Sequence, residues 1–278
     1  VAKPFGGLGG GTVSGYGSGG YGPPSDTNVN HIDKYSFTSD GNSSDVANLT
    51  VARAEASGNS SATHGYTSGG GNGPLSNVID KFTFSADADA TDVGDLTSSR
   101  RGSTGCSSST HGYNAGGLTS VTLNVIDKFS FSVDGNATDV CDLTAATAYI
   151  AGQSSNTHGY ASGGYTPAFN KIERFSFVTE GNATDVGDLT VARYGAGGNS
   201  STTHGYASGG TNGTNLNIID KFSFSSASNA TDIGNLTVAR RYLDGASSTT
   251  HAYIAGGSPV SGRSNVIDKF TFASDADA

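Results

Sequence analysis

Several residue types are missing or scarce in this chain of 278 residues. There is no Met, no Trp and only two Cys, which are too few for the disulfide framework of a small secreted domain. No apolar run approaches the roughly 20 residues of a membrane-spanning helix, so we expect no membrane insertion. The lack of an initiator Met and of a recognisable signal peptide indicates a processed product or a fragment.

Positive charge is scarce as well. The chain has 15 Lys and Arg against 24 Asp and Glu, which gives a formal net charge of −9. The Lys and Arg residues are dispersed, whereas a nucleic-acid backbone is bound by clustered cationic side chains. We therefore expect no nucleic-acid partner.

Glycine and a repeated heptapeptide dominate what is present. The chain contains 42 Gly, and HGYASGG occurs at 158–164 and 204–210. Close copies stand at 64–70, 111–117 and 251–257, with a degenerate copy at 14–20. The histidines recur every 46 or 47 residues. An IDKF-like motif occurs in each of the six units, and a TDVGDLT-like motif follows it in the first five. A fixed period of this length is the signature of a repeat architecture.

The sequence of each complete unit predicts four short strands separated by Gly-rich or polar turns. The 3.6-residue apolar periodicity of a helical solenoid is absent, and four strands in 40–50 residues is the size of a propeller blade. The sequence therefore predicts an all-β, six-bladed β-propeller spanning residues 1–278 as one domain. The last unit stops before its fourth strand, so either the natural chain is longer or one blade is three-stranded. We expect the ring to close by contact of residues 1–20 with residues 251–272.

The repeat also resembles the Kelch repeat over essentially the whole chain. The shared features are a double Gly that ends one strand, an Asp before an aromatic residue, and L-x-x-x-R before the next Gly-rich strand. This chain departs from the Kelch pattern by having no Trp, and Thr147 replaces the repeated Arg in one unit. The amino-acid sequence of the copies is similar to that of repetitive propeller proteins of marine phages and environmental microbes. The resemblance implies four-stranded Kelch-like blades.

The repeated histidines are interpreted as structural. Equivalent positions on neighbouring blades lie too far apart to share an ion through bonds of about 2 Å. Galactose oxidase also carries Kelch-like blades, but its copper site needs unique Tyr and His residues and a Tyr–Cys crosslink. Here Tyr and His recur in every unit, and Cys106 and Cys141 are predicted on different strands of one blade. We therefore predict no enzymatic activity, and an oxidase is the least favoured hypothesis.

One polar turn is a candidate calcium site. It offers side-chain oxygens at alternating positions, as calcium loops do. The candidate ligands are Asp87, Asp89, Thr91 and Asp92, with Asp134, Asn136 and Asp139 in the sister turn. The alternative is a hairpin turn whose Asp and Asn side chains cap backbone groups. No other cofactor is indicated.

The loops after the double Gly differ between units and are predicted to emerge on one face. Variable loops on a rigid scaffold are where recognition is commonly placed, although loop drift alone also produces such variation. The candidate ligand-binding residues are Tyr21, Asn72, Tyr165, Phe169, Asn212, Asn215 and Arg263.

Two functional hypotheses stand ahead of the oxidase. The first is a non-enzymatic binding module, extracellular or on a virion surface, that recognises a glycan or a protein through the variable loops. The second is a structural protein that assembles into a homo-oligomer, fibre or coat, with a missing strand completed between molecules.

Overall fold

Short β-strands make up all the regular secondary structure of the described residues. The structure is a computed structural model, and it describes residues 13–22, 27–71 and 73–278. No helix occurs among them, and hence none that is long and apolar enough to cross a membrane.

The strands form six antiparallel sheets in chain order. Blade 1 contains β1 (Ser14–Ser18), β4 (His31–Ser36) and β5 (Ser44–Asn48), with a small hairpin of β2 (Tyr21–Gly22) and β3 (Thr27–Asn28). Blade 2 contains β6 (Ser57–Ser60), β7 (His64–Ser68), β8 (Val78–Thr83) and β9 (Thr91–Asp95). Blade 3 contains β10 (Thr104–Ser107), β11 (His111–Ala115), β12 (Val125–Ser130) and β13 (Thr138–Asp142).

Blade 4 contains β14 (Ala151–Ser154), β15 (His158–Ser162), β16 (Lys171–Ser176) and β17 (Thr184–Asp188). Blade 5 contains β18 (Gly197–Ser200), β19 (His204–Ser208), β20 (Ile218–Ser223) and β21 (Thr231–Asn235). Blade 6 contains β22 (Asp244–Ser247), β23 (His251–Ala255) and β24 (Ile267–Thr271). The predicted six-bladed propeller is confirmed, with three described strands in the last blade.

The antiparallel order places the connections on two opposite faces. In blade 2 the loop between the second and third strands (69–77) lies on the same face as the connection from blade 1 into the inner strand (49–56). We call this the loop face. The connections 61–63 and 84–90 lie on the other side, which we call the turn face.

Glycine lines the contact between neighbouring inner strands. The second residue of each of β6, β10, β14, β18 and β22 is Gly. A Cβ built on Gly105 would lie under 3.0 Å from the carbonyl oxygen of Gly58 in the preceding blade. The Ser107 amide donates to Ser154 Oγ at 3.0 Å, and this bond recurs between successive blades. Glycine is required here because the backbones approach this closely.

Aromatic side chains join each blade to the next. Tyr66 stacks on Phe131 at a centroid distance of 4.8 Å and packs against Phe129 at 5.5 Å. Equivalent sets join all the other blades. Offset aromatic pairs of this kind add to the energy of apolar burial. They account for the regular spacing of Phe and Tyr in the sequence.

The same contact closes the ring. Tyr253 of blade 6 stacks on Phe37 of blade 1 at 4.6 Å, and Lys269 Nζ lies 2.6 Å from Asp40 Oδ1. The prediction that residues 251–272 take part in closing the ring was correct. On the blade 1 side, β1 approaches β22 of blade 6. The aromatic and ionic contacts of blade 1, however, come from residues 35–40. This is because the second strand of one blade packs on the third strand of the next. Residues 1–12 lie outside the described residues.

Candidate functional site

Five of the twelve tyrosines do not belong to the repeated contacts between blades. The other seven are Tyr16, Tyr35, Tyr66, Tyr113, Tyr160, Tyr206 and Tyr253, which pack between blades. The remaining five lie together on the loop face, and we call them the axial tyrosine cluster. They are Tyr21, Tyr149, Tyr165, Tyr194 and Tyr242. These tyrosines therefore need an explanation other than the repeat.

Four of the five rings contact one another across three blades, and Tyr21 is linked to them through Glu55. Tyr149 lies 5.4 Å from Tyr242 and 6.1 Å from Tyr165, and Tyr165 lies 4.8 Å from Tyr194, all between ring centroids. Tyr21, Tyr165 and Tyr242 are 40%, 41% and 42% exposed. An aromatic surface that faces solvent and also has hydroxyl groups is suited to ligand contact.

A series of backbone hydrogen bonds, which we call the backbone series, links the residues that lead into the inner strands of blades 2 to 6. The Gly102 amide donates to Glu55 O at 2.8 Å, and the Tyr149 amide donates to Gly102 O at 2.6 Å. Gly195 and Tyr242 continue the series, each donating to the equivalent residue of the preceding blade at 2.7 Å. These five residues precede the inner strands, which fixes them at the centre of the loop face.

All five residues of the backbone series have a positive φ. The angles are 62° and 65° at Gly102 and Gly195, and 58°, 54° and 56° at Glu55, Tyr149 and Tyr242. The left-handed region costs a residue with a Cβ about 1 kcal/mol or more, and such residues concentrate at functional sites. Two blades use the glycine that this geometry favours, and three place a large side chain on the axis instead.

Glu55 supplies a carboxylate to the cluster. Its Oε2 accepts from the Tyr149 hydroxyl at 3.0 Å and lies 3.4 Å from Nη1 of Arg101. Burial, and secondly the adjacent Glu55 carboxylate, raises the pKa of Tyr149 above its ordinary value. The same two causes raise the pKa of Tyr21. Both phenols therefore remain neutral hydrogen-bonding groups around neutral pH.

Two further arginines cover tyrosines of the cluster. The Arg241 guanidinium lies 5.2 Å from the ring centroid of Tyr242. The Arg263 guanidinium lies 4.7 Å from that of Tyr21, and its Nη1 donates to Ser258 Oγ at 2.6 Å. These are cation–π distances, so the cationic groups are held against the aromatic surface.

The structure brings together three of the sequence-predicted ligand residues, namely Tyr21, Tyr165 and Arg263. The other described candidates, Phe169, Asn212 and Asn215, have their observed contacts elsewhere. Asn215 Nδ2 donates to Ser258 O at 3.0 Å and links two blades, whereas Asn212 Oδ1 accepts from the Thr214 amide within its own loop.

Phe169 is half-buried, and its backbone bonds hold the loop of blade 4: its amide donates to Gly164 O and its carbonyl accepts from the Arg193 amide. Asn72 lies outside the described residues.

Sequence reasoning missed the connections between blades, which supply most of the cluster. The dipeptides that enter the inner strands are AE at 54–55, RG at 101–102, AY at 148–149, YG at 194–195 and RY at 241–242. Their variation at one fixed position of a strict repeat was the available signal. The loops after the double Gly were noticed instead because they vary in length as well as in sequence.

The candidate calcium ligands bind the neighbouring blade. Asp87 Oδ1 lies 3.1 Å from Lys34 Nζ, and Asp134 Oδ1 lies 2.8 Å from Lys81 Nζ. Asp89 Oδ1 accepts from the Asn48 amide at 2.8 Å.

Of the other candidates, Asn136 lies in its turn and bonds the preceding blade, whereas Thr91, Asp92 and Asp139 lie in outer strands. Asn136 Oδ1 accepts from the Asp95 amide, Asp92 Oδ1 accepts from the Gly94 amide, and Thr91 and Asp139 lie in β9 and β13. Within 13–22, 27–71 and 73–278, no three His, Cys, Asp or Glu residues come together as metal ligands. Calcium binding stays a prediction.

The repeated histidines hydrogen-bond locally, as their structural interpretation requires. His64 Nδ1 lies 2.8 Å from Thr63 Oγ1, and the same contact recurs in blades 3 to 6. Burial lowers the pKa of His64, so the neutral ring is favoured. The buried thiols of Cys106 and Cys141 lie on the inner and outer strands of blade 3 and form no disulfide with each other.

Comparison with known proteins supplies no family for this chain. No protein-family model matches it, and no curated protein matches it either.

Proposed function

We propose that the chain is a non-enzymatic binding module that recognises a glycan through the axial tyrosine cluster. The observation that carries this proposal is the convergence of five tyrosines outside the repeat at the centre of the loop face, three of them about two-fifths exposed. Tyrosine rings stack on the apolar faces of sugar rings, and their hydroxyls hydrogen-bond sugar hydroxyls.

Backbone strain supports a role in binding. Tyr149 and Tyr242 occupy left-handed positions where equivalent blades have Gly102 and Gly195. Folding alone would favour glycine at all of these positions. Strain of this kind persists where the side chain has another use, and here the side chains form the exposed aromatic surface.

The setting we propose is extracellular or on a virion surface. The chain has no Met, and both of its thiols are buried. Exposed thiols and Met are the side chains most readily oxidised, so this composition suits an oxidising environment.

Replacing Tyr149 or Tyr242 by Gly tests the proposed site. We expect each variant to lose at least tenfold in glycan affinity, because an aromatic platform is removed. We expect the midpoint of thermal unfolding to change little, because relief of the positive φ offsets the lost ring contacts, and glycine already stands at the equivalent positions 102 and 195. The measurements are binding to a glycan array, titration calorimetry with the strongest ligand, and thermal unfolding.

The matched control is Val178→Ser, because Val178 is exposed on the turn face, far from the cluster. It is expected to leave glycan binding unchanged. Absence of glycan binding by the native protein, or binding that both tyrosine variants retain, would contradict the proposal. If the native protein instead bound a protein ligand, and the same tyrosine variants lost that binding, the proposed site would stand and its ligand would be a protein and not a glycan.

We also propose that the blades are Kelch-like. The double glycines adopt positive φ, for example 65° and 93° at Gly69 and Gly70. The repeated Arg forms a buried ion pair with the Asp of the IDK motif, as between Arg53 and Asp80 at 3.0 Å. These features support the resemblance in geometry as well as in sequence. The similarity to phage and environmental propeller proteins rests on the sequence motifs alone and stays a prediction.

A second candidate function is assembly through the outer edge of blade 6. In the described residues β24 pairs with β23 on one side and with no strand on the other. Ile267 is only partly buried, whereas its equivalents Ile32, Ile79, Ile126, Ile172 and Ile219 are fully buried. An apolar, unpaired strand edge favours pairing with another chain. We propose that a second copy pairs with this edge through its own β24.

The peptide NATDVGDLTVAR, which copies residues 182–193, tests this second function. We expect the protein to sediment as a dimer and the peptide to dissociate it, because the peptide supplies the outer strand that blades 1 to 5 contain. The same peptide is expected to raise the midpoint of thermal unfolding by mass action. A scrambled peptide is the control. A monomer at all concentrations, or a dimer indifferent to the peptide, would rule out assembly through β24.

A further inference from the structure

The arginines of the loop face do not follow the charge pattern of the repeat. Of the other eleven Lys and Arg residues in the described residues, nine are matched within a repeating scheme. The exceptions are Lys171, which donates to Thr144 Oγ1, and Arg174, which stands at the position of the repeated Lys. Four arginines form buried pairs with Asp, namely Arg53, Arg100, Arg193 and Arg240. Five lysines pair with a turn acid of the next blade, namely Lys34, Lys81, Lys128, Lys221 and Lys269. Arg101, Arg241 and Arg263 belong to neither set.

These three arginines surround the axial tyrosine cluster. Arg101 contacts Glu55, Arg241 covers Tyr242, and Arg263 covers Tyr21. The described part of the cluster thus contains three guanidinium groups and one carboxylate, that of Glu55, so it carries an excess of positive charge. The chain as a whole carries a net charge of −9. Positive charge is thus concentrated at the aromatic surface although the chain as a whole is negatively charged.

The acidic residues are concentrated on the other side of the disc. The turn acids Asp40, Asp87, Asp134, Glu180 and Asp275 are each matched by a repeated lysine. Further carboxylates at this face, at the ends of the turns and the starts of the outer strands, give it an excess of negative charge; they are Asp89, Asp92, Asp139, Asp185 and Asp232. An anion approaching the protein is therefore repelled at the turn face and attracted at the centre of the loop face. Electrostatic complementarity of this kind selects the ligand and speeds its association.

We infer that the cluster binds an acidic saccharide, one that carries carboxylate or sulfate groups. The inference rests on the proposed function and specifies its ligand class. The tyrosine rings hold the sugar rings, and the guanidinium groups of Arg101, Arg241 and Arg263 hold the anionic groups. Arginine is suited to this because its planar fork binds carboxylate and sulfate-like oxyanions through two parallel hydrogen bonds.

An array of matched oligosaccharides tests the inference. Each pair has one backbone, with and without carboxylate or sulfate groups. We expect the native protein to bind the acidic members at least tenfold more tightly, and this preference to weaken as salt is raised, since exposed charges are screened. Equal or stronger binding of the neutral members, lost in Tyr242→Gly, would overturn the inference and leave the proposed function standing. Binding of neither member would contradict both.

The variant Arg101→Ala/Arg241→Ala assigns the preference to the cluster. Both positions are Ala in equivalent blades, at Ala54 and Ala148, so the fold accommodates the change. We expect this variant to lose at least tenfold in affinity for the acidic members and little for the neutral ones. Lys81→Ala, on the opposite side of the disc, is the charge-matched control and is expected to keep the native preference. Retention of the preference in the double variant would overturn the assignment.

Discussion

Replacing Gly105 by Ala is expected to destabilise the propeller by about 3 kcal/mol or more. Gly105 lies in the middle of the inner strand β10, and an added Cβ would lie under 3.0 Å from the Gly58 carbonyl oxygen. The obstructing atom is backbone of the neighbouring blade, so no side-chain rotation can relieve the overlap. Overpacking a close-packed interior typically costs 1–3 kcal/mol, and more where the surroundings cannot relax. Chemical denaturation measures the loss.

Gly135→Ala is the matched control for this experiment. Gly135 lies in an exposed turn, and a Cβ built there meets no atom within 4 Å. We expect its free energy of unfolding to stay within about 0.5 kcal/mol of the native value, as for most surface substitutions. Equal stability of the Gly105 and Gly135 variants would show that the inner strands can move apart, contrary to the close packing described above.

Replacing Asp127 by Ala is expected to cost about 3–5 kcal/mol of unfolding free energy. Its Oδ2 lies 2.6 Å from Nη2 of Arg100, and both side chains are 0% exposed. The same carboxylate accepts from the amide and the hydroxyl of Thr97 at 2.9 and 2.7 Å. The substitution leaves a buried guanidinium without its counter-charge and a backbone amide without its acceptor, and each is costly. Denaturant titration measures the change.

Blade 4 provides the matched control for the ion pair. There Thr147 replaces the repeated Arg, and Glu173 replaces the Asp, with Glu173 Oε1 accepting from the Thr144 amide at 2.7 Å. We expect Arg100→Thr/Asp127→Glu, which copies this arrangement, to be less destabilised than Asp127→Ala because no guanidinium is left unpaired. A double variant as unstable as the single one would show that the lost packing of Arg100, and not its charge, determines the cost.

The repeating part of the molecule could be predicted from the sequence because each element serves the same local purpose in every blade. The double glycines, the Phe and Tyr spacing and the acidic turns recur at a fixed period. Because the same pattern occurs in six copies, a strand that cannot be assigned from one copy can be assigned from the others. This is why the number of blades, the four strands of a complete blade and the structural role of the histidines were all accessible.

The roles of single side chains within that pattern were less accessible. The turn acids Asp87 and Asp134 alternate with other oxygen ligands in the sequence, which suggested a shared ion. In the structure they form ion pairs with Lys34 and Lys81 of the preceding blade. The partner of a side chain on a blade edge belongs to another blade, and its distance cannot be read from spacing within one unit.

The candidate site depended on the tertiary structure for the same reason. Glu55, Tyr149 and Tyr242 are separated by many residues, and each stands in a short connection without a motif of its own. They meet because the ring places the start of every inner strand around one axis, where the backbone bonds of these connections link blade to blade. The sequence by itself determined the repeated blade and its packing, because those follow from a local period. Closure of the ring decided which unrepeated residues share the centre of the loop face, because proximity there depends on all the blades at once.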